Sequence, residues 1–339
     1  MNLPRTTIAL LLGVAAGSLG TTASAGDAPA APAPAAAASA AAAATTPRTF
    51  ESPEAAAKAL AEALEKNDDE ALRAVLGLGS DDLVEKGADP VVASSRKAIA
   101  EDVRTKVATD KGDDGRVSLL LGDDGWPFPI PLVKANGAWS FDAVAGREEV
   151  LARQIGRHEL EVIGICRQYI DMQIAYASKD RDDDEVREYA QRILSSAGKH
   201  DGLYWDDATE DDPSPLGIEL VPLKSAGQDT RSPYAGYFWR ILKGQGSEAP
   251  GGAYSYVING NMIAGFALVA VPAEYRKTGV MTFVVSHHGK VFQKDLGEKS
   301  LDVARSMEVY DPDETWQEVK PGEEITKPGE PSVAPLPTK

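Results

Sequence analysis

The residues best suited to chemistry form an acidic run in which carboxylates recur at alternate positions. Asp180, Asp182 and Asp184 are followed by Glu188. Carboxylates spaced in this way along a loop can converge on one hard cation, and Ca²⁺ takes about six to eight oxygen ligands. These four residues are therefore the predicted metal ligands, with Ca²⁺ as the expected ion and no other cofactor expected.

The spacing of this run is similar to the opening of an EF-hand loop, with two departures. Glu185 stands where that loop uses glycine for its sharp turn, and Glu188 comes earlier than the acid that closes the loop. A second interpretation stays open, in which the run is a solvated acidic linker between two helices.

Other residue types that often do chemistry favour structural roles here. His287 and His288 precede Gly289, and this arrangement fits a hairpin turn better than a transition-metal site. His158 and His200 accompany no Gly-x-Ser-x-Gly nucleophile motif. The glycine-rich run 244–252 lacks the Gly-Lys-Ser/Thr of a phosphate-binding loop, so it is interpreted as a mobile hairpin loop. No catalytic residue is predicted.

An aromatic cluster could stack sugars or a partner peptide, or could fill a core. Its members are Tyr204, Trp205, Tyr234, Tyr237, Phe238 and Trp239. Side chains alternate between the two faces of a strand, so Tyr237, Trp239 and Ile241 should share one face. At least half of the cluster is therefore expected to be core.

Composition and charge limit the partners. The formal net charge is −17 with no offsetting basic patch, which argues against nucleic acid or anionic lipid. Residues 1–25 have the pattern of a cleavable secretory signal, and no later segment is apolar enough to span a membrane. The chain is therefore expected to be exported, periplasmic or secreted, after cleavage near Ala25. The single cysteine, Cys166, lies among aliphatic residues and is expected to be a buried thiol.

Two folded domains are expected between an Ala/Pro-rich disordered linker, residues 26–48, and a Pro-rich disordered tail, residues 317–339. The first, 49–145, should begin with three helices that start after Ser52, Asp68 and Asp89, the third carrying Val107 on its apolar stripe. Three strands should follow. The middle one, 126–132, has prolines at alternate positions and is expected to be an edge strand.

The second domain, 146–316, should contain a long helix, a short helix and an antiparallel meander. The long helix, 148–178, is expected to bury Ile163, Cys166, Ile170 and Ile174. The short helix is predicted over 186–194. The meander has five predicted strands, and turn residues such as Asn259-Gly260 separate them. Its strands are GYFWRILK, AYSYVIN, NMIAGFALVAV, GVMTFVVS and KVFQKDL. The fold class is therefore expected to be α+β.

These patterns resemble known families. Helices followed by a curved sheet over 49–145 resemble the NTF2-like and cystatin-like cone, which often holds a small ligand. The helix and meander that follow resemble the globular head of a type IV pilin or pseudopilin, and such heads can bind calcium. Segments including DDGWPFPIPLVKANGAWSFDAVAGREEVLARQIGRHELEVI, REYAQRILSSAGKHDGLYW, SPLG and YVINGNMIAGFALVAVPAEYRKTGVMTFVV look like one bacterial family, domain of unknown function 2950. That family carries no assigned activity.

The expected function is therefore a non-catalytic envelope protein that binds or scaffolds an unknown envelope protein or a small ligand. This expectation rests on the lack of a sequence constellation that supplies a nucleophile, a base and an orienting group. Two alternatives stay open. One is a secreted hydrolase that uses acidic residues or a bound cation, and the other is an assembly component related to pseudopilins.

Overall fold

The structure is a computed structural model that describes residues 48–77, 79–182, 184–216 and 233–320. Helices and antiparallel sheets coexist in it, which confirms the α+β fold class. Contacts divide the chain into two compact units, the first ending at Gln154 and the second beginning at Ile155. The predicted signal, nearly all of the predicted linker and the tail beyond Lys320 lie outside the described residues.

The first unit opens with three helices, α1 (Pro53–Glu65), α2 (Asp69–Leu76) and α3 (Pro90–Thr105). Each begins where the sequence predicts, because a side-chain oxygen satisfies backbone N–H groups that have no partner within the helix. Ser52 accepts from one such N–H group, and Asp68 and Asp89 each accept from two. Helix α2 ends at Gly77, whose φ of 86° favours glycine.

Five short strands follow and form one antiparallel sheet in the order β1-β2-β4-β5, with β3 also paired to β2. They are β1 (Val107–Lys111), β2 (Val117–Leu121), β3 (Trp126–Pro127), β4 (Leu132–Ala135) and β5 (Ala138–Phe141). The placement of Val107 on the third helix is wrong. Helix α3 ends at Thr105, and Val107 pairs with Leu121 as the first residue of β1.

The prediction of one proline-bearing edge strand over 126–132 is also wrong. Trp126 and Pro127 pair with β2, and the Phe128 N–H group donates to the Leu119 carbonyl at 2.8 Å. The chain then bends around Ile130, which is fully buried, and resumes as β4 between β2 and β5. The prolines therefore interrupt the strand, because they remove N–H donors at a point where a buried side chain turns the backbone inward.

Phe50, Phe128 and Phe141 are buried in the core of the first unit and meet edge to face, with ring centroids 6.0–6.2 Å apart. Trp126 and Trp139 are only partly buried at its margin. Phe128 and Phe141 are therefore part of this core, and the two tryptophans only pack against it.

The long helix α4 spans Ala143–Tyr176 and contributes to both units. Cys166 and Ile163 are buried on it as predicted, whereas Ile174 is 58% exposed. The apolar stripe instead continues through Gln173 and Tyr176, which are almost completely buried. The prediction that Ile174 is buried is therefore wrong. Near the end of the helix the buried position is occupied by Gln173, which a search for aliphatic residues does not find.

The second unit is built on a five-stranded antiparallel sheet in the order β14-β13-β12-β11-β6. Its strands are β6 (Tyr237–Leu242), β11 (Ala267–Pro272), β12 (Met281–Ser286), β13 (Val291–Asp295) and β14 (Gln317–Glu318). Every residue of β11 is buried, as expected for a central strand covered on both faces. Strand β14 lies within the range predicted to be a disordered tail, so the sheet extends past Trp316.

Helices pack on both faces of this sheet. Tyr237 of β6 donates a hydrogen bond towards Glu159 of α4, while Arg240 donates to the carbonyls of Ala304 and Met307. The latter two lie in and just after α5 (Ser300–Ser306), which follows a 3₁₀ turn at Gly297–Lys299. Since positions 237 and 240 point to opposite faces of a strand, α4 and α5 cover opposite faces.

The predicted strand AYSYVIN does not join this sheet. It supplies two short strands, β8 and β9, one on each side of Tyr256. Strand β8 pairs with β7 in one two-stranded ribbon, and β9 pairs with β10 in another. Their bounds are β7 (Gly244–Gln245), β8 (Tyr254–Ser255), β9 (Val257–Ile258) and β10 (Asn261–Met262). Tyr256 is fully buried and its hydroxyl donates to the Gln245 side chain. It therefore fixes the chain at the point between the two ribbons.

The predicted helix over 186–194 is absent from the described residues. The chain there has no regular secondary structure, and its backbone groups bond to distant partners. The Tyr189 N–H group donates to the Met262 carbonyl at 2.8 Å, and the Gln173 amide both donates to and accepts from the backbone of Ala190. These non-local bonds satisfy the backbone groups that a helix would have paired locally.

Candidate functional site

The acidic run forms an exposed loop that begins four residues after the end of α4. Carboxylate oxygens of Asp180, Asp182 and Asp184, one from each, lie within 4.8 Å of one another. Two oxygens that each bind Ca²⁺ at about 2.3–2.6 Å can be no more than about 5.2 Å apart. The loop therefore brings three of the four predicted ligands to a separation that one such ion could bridge.

Local hydrogen bonds fix the course of this loop. The Asp180 carboxylate accepts from the N–H groups of Asp182 and Glu185 at 3.3 and 2.8 Å, and Asp184 accepts from the Val186 N–H group at 2.8 Å. Glu185 adopts a φ of 69°, in the left-handed region that favours glycine. The sharp turn is therefore made at the position where an EF-hand uses glycine, although a glutamate stands there.

Mutual repulsion marks the electrostatics of the loop. Desolvation, followed by the charges of Asp184, Glu188 and Asp180, raises the pKa of Asp182 above its usual value. Carboxylates whose ionised forms disfavour one another are stabilised by a bound cation. The electrostatic environment of Asp182 is thus suited to a divalent cation.

Glu188, the fourth predicted ligand, is not among the three converging carboxylates. One of its oxygens accepts from the Met262 N–H group at 2.8 Å and lies 3.4 Å from the Gln191 amide nitrogen. It is near enough to contribute to the raised pKa of Asp182. In this structure Glu188 therefore helps to attach β10 to the acidic loop.

Asn261 is a site residue that sequence reasoning missed. Its side-chain amide donates to the Asp184 carboxylate at 2.6 Å, and nearby Gln191 donates to the Gly260 carbonyl, also at 2.6 Å. These bonds join the acidic loop to the β9–β10 ribbon. No local spacing could indicate a contact between residues 77 positions apart in the sequence.

The histidine pair lies in the turn between β12 and β13. Gly289 has a φ of 81° and its N–H group donates to the Ser286 carbonyl, as expected for a hairpin turn. His287 packs edge to face against Tyr256 and Phe266. Burial, and then the neighbouring His288, lower the pKa of His287, which keeps its ring neutral near pH 7.

His158 and His200 take part in contacts within the second unit. His158 Nδ1 lies 2.8 Å from the Thr278 carbonyl oxygen. The His200 ring stacks on Trp205 with centroids 4.4 Å apart, and its two nitrogens lie 3.0 Å from Asp207 and 3.1 Å from Asp212. Both rings therefore have partners that fix their positions.

Trp205 is the centre of a closed stack. It is 3% exposed, with His200 on one side and the Arg181 guanidinium 4.7 Å from its ring centroid. Asp212 accepts from both Lys179 and Arg181. Desolvation raises the pKa of Asp212, but these hydrogen bonds outweigh it and hold that pKa at about 2. Lys179 precedes the acidic loop and Arg181 lies within it, so these contacts fix the start of the loop.

Half of the aromatic cluster is buried in the core, and the other half packs against it. Tyr237 and Trp239 are buried alongside Trp205, and Tyr204, Tyr234 and Phe238 are partly buried against them. The glycine-rich run 244–252 folds back on Gln245, whose amide donates to the carbonyls of Pro250 and Gly252 at 2.7 and 2.9 Å. Neither feature presents a stacking platform or a row of free N–H groups.

Glu159 is a half-buried acid that the sequence did not single out. One carboxylate oxygen accepts from the N–H groups of Val280 and Met281, both at 2.9 Å. Burial raises the pKa of Glu159, and these two hydrogen bonds partly offset the rise. The residue therefore attaches α4 to the start of β12.

A surface groove of about 430 Å³ lies in the first unit between α1, α3 and the start of β1. Its floor is apolar, with Ala57, Ala61 and Val103, and charged side chains including Lys58 and Arg104 form its rim.

In the described part of the chain, no helix combines the length and the apolar character that crossing a membrane requires.

The comparisons with known proteins give one match. The model of a family described as "Protein of unknown function (DUF2950)" matches residues 47–319. No curated protein and no solved structure is significantly similar to the chain. The likeness to an NTF2-like or cystatin-like cone and to a pilin head stays an interpretation. Because the family match covers well over half of the sequence, the chain belongs to the DUF2950 family.

Proposed function

We propose that this protein is an exported, non-catalytic binding or scaffolding protein of the bacterial envelope that holds a Ca²⁺ ion in its acidic loop. The observation that carries the proposal is the convergence of Asp180, Asp182 and Asp184 around a left-handed Glu185. The export part rests on the signal pattern of residues 1–25, which lie outside the described residues.

In the proposed site, Asp180, Asp182 and Asp184 each supply one carboxylate oxygen. Backbone carbonyls and water would complete the shell, since Ca²⁺ accepts about six to eight oxygens in flexible geometry. Mg²⁺ demands a tighter octahedral shell and gives up its waters reluctantly. The loop is exposed and lies between a helix and an irregular segment, so it suits the more tolerant ion.

A binding role is supported by the way the other titratable groups are used. His158 and His200 contact groups that fix the fold, and Glu159 accepts two backbone hydrogen bonds. The burial that surrounds Cys166 raises its pKa to about 12, which makes its thiol a poor nucleophile. These side chains serve the structure of the second unit.

Thermal unfolding with and without Ca²⁺ tests the proposal. An ion that binds only the folded state stabilises it by RT ln(1 + [L]/Kd), which is about 1.4 kcal/mol at ten times Kd. This corresponds to a rise in Tm of a few degrees. Mg²⁺ should produce a smaller rise. The double substitution Asp182→Asn and Asp184→Asn should remove the Ca²⁺ effect while the protein stays folded.

Two outcomes would count against the site. An equal rise in Tm with Ca²⁺ and Mg²⁺ would indicate general screening of the −17 charge. A Ca²⁺ effect that survives the double substitution would place the ion elsewhere. A matched control replaces the exposed Asp110 and Asp113 of the first unit with asparagine, which changes the net charge equally and should leave the Ca²⁺ effect intact.

A further inference from the structure

The ribbon of β9 and β10 is an uncharged, apolar projection in a strongly acidic protein. Residues 249–273 contain no Asp, Glu, Lys or Arg, although the whole chain carries a net charge of −17. Within this run, Tyr254, Ile258 and Ile263 are 37%, 46% and 43% exposed. These three side chains are exposed within ten residues of one another in the sequence, and exposed apolar surface of this kind is typical of an interaction site.

The fold holds this projection in place while leaving its outer side chains exposed. Tyr256, just before β9, and Met262, the second residue of β10, are fully buried. The Ile263 and Ala264 N–H groups both donate to the Tyr256 carbonyl at 3.1 Å. The inner side chains are therefore committed to the core, and the exposed isoleucines do not contribute to it.

The acidic loop borders this apolar surface directly. Ile258 pairs with Asn261 across the ribbon, so their side chains lie on the same face. Asn261 in turn donates to Asp184, and Glu188 accepts from the Met262 N–H group. Carboxylates thus flank the exposed apolar residues along one side of the ribbon.

We propose that Tyr254, Ile258 and Ile263, together with the carboxylates of Asp180, Asp182 and Asp184, form a docking surface for a basic amphipathic segment of another protein. The apolar side chains of that segment would cover the ribbon, and its Lys or Arg residues would face the carboxylates. This inference rests on the proposed binding role and names the partner chemistry, but it does not require the Ca²⁺ ion.

Complementarity of charge selects this partner. An acidic or neutral protein would meet repulsion or gain nothing from the flanking carboxylates, and an anionic membrane would be repelled by the net charge of −17. Flanking charges mainly affect the association rate and its dependence on salt, whereas the apolar centre determines how long the complex lasts. Both contributions can be measured separately.

The test uses a labelled amphipathic peptide with Leu on one face and Lys on the other. Fluorescence anisotropy measures its binding to the protein without residues 1–25. A peptide with Glu in place of Lys is the charge control, and neutral phosphatidylcholine vesicles probe lipid binding. The double variant Ile258→Thr and Ile263→Thr should weaken binding about tenfold. Val91→Thr with Val303→Thr, exposed elsewhere, should change it less than about twofold.

The acidic side is tested with Asp180→Asn and Asp184→Asn, which should weaken binding several-fold at low salt and little at high salt. Binding of the Lys peptide that is unchanged in the Ile258/Ile263 variant would overturn the proposal, because attraction to the net charge would then explain it. Equal binding of the Glu peptide, or ribbon-dependent binding to neutral vesicles, would also overturn it. Competition by added Ca²⁺ would support both the ion site and the docking surface, because both use the same carboxylates. Peptide binding that Ca²⁺ does not change would support the docking surface and count against the ion site.

Discussion

Replacing Gln173 by leucine tests the claim that a buried side-chain amide holds the segment after the acidic loop in place. Gln173 is fully buried on α4. Its amide nitrogen donates to the Ala190 carbonyl at 3.0 Å and to the Tyr169 hydroxyl at 2.8 Å, and its oxygen accepts from the Ala190 N–H group at 2.8 Å. Leucine is similar in size and offers none of these bonds.

The expected magnitude follows from the groups left without partners. A buried backbone group that loses its hydrogen bond costs about 1–3 kcal/mol, and Ala190 would lose the partners of both its N–H and its carbonyl. The added apolar burial of leucine offsets part of this cost. We expect Gln173→Leu to lower the free energy of unfolding by about 3 kcal/mol. Gln168→Leu, exposed on the same helix, should change it by less than about 0.5 kcal/mol.

Urea unfolding followed by tryptophan fluorescence gives the stability difference. Hydrogen exchange locates it, because the amide protons of Tyr189 and Ala190 should lose protection first in the variant. Equal stability of Gln173→Leu and Gln168→Leu would refute this account of the segment. A loss confined to residues of the first unit would refute it as well.

Three further predictions follow from groups described above. Arg96 is 4% exposed and donates to Asp69, whose pKa this hydrogen bond chiefly lowers. Arg96→Met should therefore cost about 2 kcal/mol at pH 7 in denaturant unfolding, and the difference should shrink as Asp69 protonates below about pH 4. Cys166, whose pKa is raised to about 12 by burial, should react with a thiol reagent only at the rate of unfolding. Because the pKa of Asp182 is raised, protons should displace Ca²⁺ at a higher pH than for an ordinary aspartate, as seen when the Ca²⁺-induced rise in Tm is measured against pH.

Features set by neighbouring residues could be predicted from the sequence. The helix starts after Ser52, Asp68 and Asp89 were found because a capping side chain bonds to N–H groups two or three residues away. The hairpin at Gly289 and the strands that flank it follow from turn chemistry in the same way. These signals are complete within a few residues.

Features set by distant partners could not be predicted. The segment 186–194 has helix-like spacing, but Gln173 and Met262 bond to its backbone and it forms no helix. Ile130 interrupts the predicted strand over 126–132 because it turns into the core. Tertiary contacts override local propensity in both places.

The same distinction between neighbouring and distant partners applies to the candidate site. Alternate spacing along one loop placed Asp180, Asp182 and Asp184 together, because the chain between them is too short to separate them widely. The bond between Asn261 and Asp184 depends on how the β9–β10 ribbon folds, and spacing says nothing of it. Glu188 accepts from Met262 for the same reason.

Calorimetric titration of the protein without residues 1–25 with Ca²⁺ is the most direct test of the central claim. The account predicts one Ca²⁺ per chain and weaker binding of Mg²⁺. It also predicts loss of the Ca²⁺ binding heat when Asp180, Asp182 and Asp184 are all replaced by asparagine, in a protein whose circular dichroism is unchanged. Saturable one-to-one binding that persists in the triple variant, or no binding heat in the wild-type chain at millimolar Ca²⁺, would contradict it.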